Sequence, residues 1–488
     1  MKKLSLVIIM LIAGTIIFIR WKNSPVTQDP PFNITFSPFA PKDLDSNATP
    51  EQLAAFAWNE FLALNWQSSY RLNGKRDYPN LSWSYDQQQP GLTVWETYAH
   101  RTELRPYDDK MQHFDDPPHY SIGDVPIPNL LKTDSFKLFN NLDENNEIGS
   151  CDVFAHNKTL RVLYQAKVNK EEYQYIYDHF NTKDSLLAAS TATSKLISNP
   201  DNYYKAGGPC NITQKGIICL PCGGNIDSSG QEVTGAIEVK TAWRELTEQE
   251  TQEVVKTRRY LTRAVIVYVK KGGVTYFTNK VYALIGMHII HKTKNYPAFI
   301  FATFEHVDVQ KSNMTYVERD PVTGNEIPGS SRTNYPRLKN PIPAVAQASS
   351  RYVSEILRRK NGYNPLQYYQ LVGVQANPER DTAEISRFLA NYVIESDSTL
   401  GLFKGSGLHH PHDNGVNTLY NHRLLTVTGC QGCHGTAQRL LGTDFSFLLD
   451  TIQKPVKVPD GSGTTDKLSR YVNAFSAIEA RNNADQKK

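Results

Sequence analysis

One heptapeptide constrains this chain more than any other feature: Gly429-Cys430-Gln431-Gly432-Cys433-His434-Gly435. Two thiols separated by two residues can each add to one vinyl group of a porphyrin. The imidazole that follows directly then reaches the iron from the same side. Other uses of such a pair are a disulfide, a thioredoxin-like redox couple, or two legs of a zinc site. A thioredoxin-like pair belongs after a strand in a βαβ unit, whereas this one sits among glycines. The motif therefore predicts one covalent haem c, attached through Cys430 and Cys433, with His434 as an iron ligand. A chain stitched to so large a planar group must fold its neighbouring segments around it.

Such chemistry belongs on the oxidising side of a membrane, and the first residues agree. Lys2 and Lys3 precede an uncharged, mostly apolar run from Leu4 to Ile19, closed by Arg20 and Lys22. The run is slightly shorter than the ~20 residues that span a bilayer, and Trp21 suits the interface. No small-x-small cleavage signal follows, so residues 1–22 read as a signal-anchor. Outside the motif stand Cys151, Cys210, Cys219 and Cys222. Four such cysteines in an exported chain can form two disulfides in any of three pairings. Cys219-Leu220-Pro221-Cys222 can instead be a redox pair or half a zinc site, though no second Cys-x-x-Cys and no well-spaced His pair lies near it. The expected location is the periplasmic side of a bacterial inner membrane.

The 488 residues carry 53 basic and 49 acidic side chains, a net charge of +4 that provides no basic face for nucleic acid. With 26 Tyr, 20 Phe, 29 Gly and 27 Pro, a loop-rich α+β protein fits better than a helical bundle. Residues 23–48, rich in Pro, Asn, Asp and Ser, read as a linker. Residues 49–394 read as an α+β domain, and 395–488 as a small helical haem-binding region.

Thr49-Pro50-Glu51-Gln52 predicts a capped helix start, followed by apolar residues at helical spacing. Trp95 to Tyr98 reads as a strand and Lys170 to Phe180 as a helix. From 236 to 308 the alternation at 236–240, the hairpin turn at Lys271-Gly272-Gly273, and apolar runs over 281–290 and 298–304 predict a largely antiparallel sheet. Residues 320–343 read as a surface excursion. A helix is expected over 344–360, ending on a left-handed cap at Asn361-Gly362. A short helix around 444–450 and a terminal one from 465 to about 480 complete the expectation.

The C-terminal part resembles the cytochrome c family. The chain as a whole is similar to bacterial cytochrome c family proteins with a long α+β region before a single haem motif. Gly429 to Gly435, Asp444-Phe445-Ser446-Phe447, His288-Ile289-Ile290-His291-Lys292-Thr293 and Phe304-Glu305-His306-Val307-Asp308 carry that likeness. It implies haem, export and an association between the two regions, and it supplies no substrate. One departure matters. Small c-type cytochromes usually take a second axial ligand from a downstream Met, and this chain has no Met after Met314. The sixth position then falls to His, to another residue, or stays open, which lowers the potential relative to Met/His ligation.

Candidates for that distal side are His288 and His291 at the end of one apolar run, His306 at the end of another, and His422 just before the motif. His409, His410 and His412 read as a polar loop. One-electron transfer to a redox partner protein is the expected function. The alternative is a haem oxidoreductase or peroxidase-like enzyme, in which these histidines and Glu305 act as acid–base groups.

Overall fold

A computed structural model describes most of residues 32–449. Residues 1–31, 127–137, 144–161, 198–214, 313–327, 395–415 and 450–488, with shorter pieces between, lie outside the described residues. The expected anchor, Cys151, Cys210, the histidine-rich loop, His422 and the terminal helix fall there. Among the described residues, no helix is long and apolar enough to cross a membrane.

The architecture is α+β and is built on one seven-stranded sheet whose strand pairs are all antiparallel. Its strands are β1 (Ala99–His100), β2 (Val162–Val168), β3 (Ile237–Glu245), β4 (Thr262–Lys271), β5 (Val274–His291), β6 (Ile300–His306) and β7 (Tyr369–Gln375). The order is β1-β2-β3-β5-β6-β7, with β4 pairing alongside β5. The strand leaving the Lys271 turn and the apolar run over 281–290 merge into the 18-residue β5, long enough to pair β4 at one end and β6 at the other, while the run over 298–304 becomes β6. β2 defeated the alternation rule because all seven of its residues are buried. Both faces of the sheet are covered, so even Gln165 and Lys167 lie inside.

One face packs against α1 (Pro50–Leu64) and α5 (Ala344–Lys360). The Thr49 side chain caps α1, and Gln52 returns the bond in the expected capping box. Phe56, Trp58 and Phe61 from α1 meet Val239, Ile289 and Phe304 of the sheet. α5 has the expected limits, but its C-cap Asn361 is extended (φ −153°) rather than left-handed. Residues 32–48 do not behave as the expected linker. Phe32 is buried, and Ile34, Phe36, Ala40 and Leu44 lie along the same core as a strap. A crossing beside the strap needs glycine: a Cβ on Gly223 would stand 2.1 Å from the Lys42 carbonyl oxygen.

The other face packs against α2 (Lys170–His179) and α3 (Lys183–Ile197), together with Phe445, Leu448 and Leu449 from near the end of the described chain. Glu248–Thr257 forms a further capped helix, α4. Trp95–Thr97 is a 3₁₀ turn, not the expected strand, because Thr93 N–H and Oγ1 fold back onto the Glu96 carboxylate. The region after 395 opens, in its described part, with a hairpin of β8 (Val416–Tyr420) and β9 (Arg423–Val427). The motif helix α6 (Gly429–Thr436) follows.

Candidate cofactor site

Gln431, one of the two spacers between the cysteines, anchors the motif. Its backbone N–H donates to Gln375 Oε1 at 2.8 Å. Its buried amide donates to the carbonyls of Ala376 (2.9 Å) and Phe299 (3.1 Å). α6 is thereby fixed to the ends of β6 and β7. It begins on Gly429 at φ +70°, where a Cβ would lie 2.8 Å from Leu389, so only glycine lets the chain enter here. Cys430 and His434 stand four residues apart and share one side of the helix.

His434 Nδ1 is 2.6 Å from the Phe445 carbonyl oxygen. A carbonyl only accepts, so Nδ1 carries the proton and Nε2 presents its lone pair. That is the tautomer of a metal-binding imidazole whose second nitrogen is fixed by a backbone oxygen. Rings of Phe301 and Phe447 wall the imidazole, each with its centroid 4.9 Å away. Burial pushes the His434 pKa down to about 4. The Phe445 bond opposes the shift, and positive charge at His288 and Lys240 adds to it. The ring is therefore neutral at physiological pH, the state a metal requires. This donor set fits a covalently held haem.

Phe445 presents its carbonyl from an unusual turn. The short helix expected around 444–450 is absent, because Asp444 (φ +53°) and Phe445 (φ +68°) are both left-handed. Two consecutive non-glycine residues in that region cost ~1–2 kcal/mol each. Asp444 holds the turn closed. Its carboxylate pairs with the Lys292 ammonium, both side chains about 1% exposed, and accepts the Leu220 N–H at 2.6 Å. Thr443 Oγ1 donates to the Ser446 carbonyl at 2.6 Å. At Gly442 (φ +65°) a Cβ would lie 2.1 Å from the Ser190 carbonyl, so the turn presses directly on α3.

The histidine candidates separate on the sheet. His288 pairs in register with Lys240 on one side and Thr303 on the other, and its charge reaches His434. His291 does not share that environment. Its Nδ1 meets Glu60 of α1 and its Nε2 the Thr234 carbonyl, so both ring nitrogens are engaged in the core. His306 is likewise committed. It stacks on Tyr260 at 3.9 Å, with Nε2 facing the Arg259 carbonyl at 3.1 Å and Nδ1 accepting the Asp308 N–H at 3.2 Å. A single pocket of three histidines therefore does not form: His288 and His291 face opposite sides of the sheet, and antiparallel β6, which sets Ile300 beside His291 and Glu305 beside Gly286, carries His306 to the far end of the pair. Glu305 accepts the Tyr392 N–H at 2.5 Å in the core.

Cys219 is disulfide-bonded. Cys222, expected in a second bridge, is a buried free thiol whose pKa burial pushes up. Cys219 and Cys222 therefore do not pair with each other. Among the described residues, no group of three or more His, Cys, Asp or Glu is arranged to hold a metal ion.

Gln375, Gln431, Lys292 and Asp444 escaped sequence reasoning as site residues. Their weak signal is the placement of polar side chains against apolar runs, as where Lys292 directly follows the end of β5. Compared with family models, curated proteins and solved structures, the chain has no match in any of the three.

Proposed function

We propose that this protein is an exported, mono-haem c-type cytochrome that passes single electrons to or from a partner protein. The observation that carries this reading is the state of His434. It is half-buried, neutral, and donates from Nδ1 to a carbonyl, four residues after Cys430 on an anchored helix. In this reading Cys430 and Cys433 would form the thioethers, His434 Nε2 would hold the iron, and residues 395–488 would make up a haem-binding region of cytochrome c type. The haem supplies one-electron chemistry, and the chain supplies ligation, orientation and a dry surround. Phe301, Phe447 and the His434–Phe445 bond flank the imidazole and fix its ring plane. Of the distal candidates on described residues, His288 is the one whose charge acts on His434, and it would be the residue placed to contact the haem. Residues 1–22 anchor the protein so that the folded body faces the periplasm.

The test is made on protein from cells able to mature cytochromes. The reading expects colour that survives acid–acetone extraction, a mass one haem above the polypeptide, and a c-type pyridine haemochrome. Colourless protein of bare polypeptide mass refutes it. The ferric spectrum then separates carrier from enzyme. A low-spin spectrum unmoved by cyanide or peroxide supports electron transfer, and a high-spin spectrum altered by them supports a haem oxidoreductase. His288→Ala is expected to convert the low-spin ferric form to a high-spin or exchangeable one, and an unchanged spectrum removes His288 from the distal side.

A further inference from the structure

Behind the turn that orients His434 lies a closed knot of charge. Glu172 comes from α2, Glu238 from β3, Lys292 from the end of β5, and Asp444 from the turn itself. All are buried, Glu172 and Lys292 completely. Ser446 lies beside Glu238, and Tyr175 and Cys222 are the other titratable groups facing Asp444. Three carboxyls thus confront one ammonium, which Asp444 already holds. Both carboxyl oxygens of Glu172, together with Glu238 Oε1 and Asp444 Oδ1, are closed off from bulk solvent and accept no hydrogen bond from a protein donor. Buried acceptors without donors need an explanation. A metal ion does not supply one, because no metal-holding arrangement exists among the described groups. A proton does: a carboxyl facing a carboxylate shares one, and the pair titrates as a unit.

The knot is joined mechanically and electrically to the iron ligand. Asp444 and Ser446 flank Phe445, whose carbonyl holds His434 Nδ1 at 2.6 Å. A unit change of charge on the iron is felt at a dry site next to its ligand, since low-dielectric surroundings screen it little. We propose that Glu172 and Glu238 form a redox-linked proton site, protonated once more when the haem iron is reduced. In the balanced step, one electron from the redox partner converts ferric to ferrous iron, and one proton from solvent binds the Glu172–Glu238 carboxylate. Oxidation returns both. Burial favours this, raising Glu238 to about 7 and Glu172 well above its ordinary range, with the like charge of Glu238 adding to the shift at Glu172. The first proton therefore stays, and the second is poised near neutrality. Linkage makes the effect reciprocal, so the potential must fall as pH rises.

The inference rests on the haem reading, and the experiment keeps the two apart. A pyridine haemochrome assay comes first, and its failure ends both. On haem-loaded protein, the midpoint potential is titrated by spectroelectrochemistry from acid to alkaline pH. The expected result is a window around neutrality in which the potential falls with pH, abolished by Glu238→Gln and by Glu172→Gln. A window that persists in both variants assigns it to the haem propionates and overturns the proposal, as does a flat wild-type profile. Should the variants fail to fold, infrared difference spectra of the wild type decide. Reduction must produce a protonated-carboxyl carbonyl band that shifts in heavy water and on carbon-13 labelling of glutamate. Absence of that band overturns the proposal.

Discussion

Asp444→Asn is the sharpest single perturbation of this molecule. The change keeps the shape of the side chain and its acceptor for the Leu220 N–H, but leaves the Lys292 ammonium buried with no counter-charge on Asp444. Removing one partner of a fully buried pair costs about 3–5 kcal/mol, because the remaining charge stays desolvated. The variant must also hold Asp444 and Phe445 left-handed, at ~1–2 kcal/mol each, with a weaker clamp. The expected loss is thus roughly 3–5 kcal/mol of unfolding free energy, read from urea titration followed by tryptophan fluorescence. A double-mutant cycle with Lys292→Met isolates the pair. Two buried groups in direct contact should show a coupling of at least ~2 kcal/mol, so the double variant should be less damaged than the sum of the singles. Loosening the turn also frees the Phe445 carbonyl, so the haem-loaded variant should show an altered His434 ligand field by electron paramagnetic resonance. Additive stabilities with an unchanged spectrum would refute the claim that this pair clamps the turn.

Other expectations follow from particular contacts. Gly442→Ala forces a Cβ against the Ser190 carbonyl at a left-handed position. It should cost roughly 2–4 kcal/mol of stability by urea titration, summing overpacking and backbone strain. His306 is held neutral by burial, with its pKa lowered to about 4. A histidine depressed in the folded state stabilises above its ordinary pKa of 6.5 and loses that contribution as pH falls. Wild-type stability should therefore drop by roughly 2–3 kcal/mol between pH 6.5 and 4, a drop missing from the urea midpoints of His306→Gln. Thr49→Ala removes the capping-box acceptor of α1 and should cost ~1 kcal/mol, measured in the same way.

Some local signals carried their information through to the fold, while those at Trp95, Asn361 and Asp444 were overridden by side-chain and tertiary contacts. The Thr49 capping box and the limits of α5 depend on residues a few positions apart, and the fold reproduces both. The hairpin at Lys271 was legible for the same reason, with Lys271 and Val274 in register across two residues. β2 was invisible because its alternation is erased by burial on both faces, and Lys167 inside it has its pKa lowered to about 7 by desolvation. The strap over 32–48 looked like a linker because its prolines and asparagines say nothing about the aromatic residues that seat it on the core. At the candidate site, spacing alone nominated Cys430, Cys433 and His434 as haem-binding residues. The partners that orient His434 lie in strands and turns brought there only by the tertiary fold, as Lys292 and Asp444 do from 152 positions apart.

Under the proposed anchoring, that strap would also act as a leash. Because Phe32 is already seated in the body, only residues 23–31 separate the folded protein from the expected anchor. Even at full extension, ten peptide steps reach roughly 35 Å. In the proposed anchored cytochrome, a body held so short would sample only the lipid-proximal layer, and its electron donor or acceptor would have to come to the membrane surface to meet it.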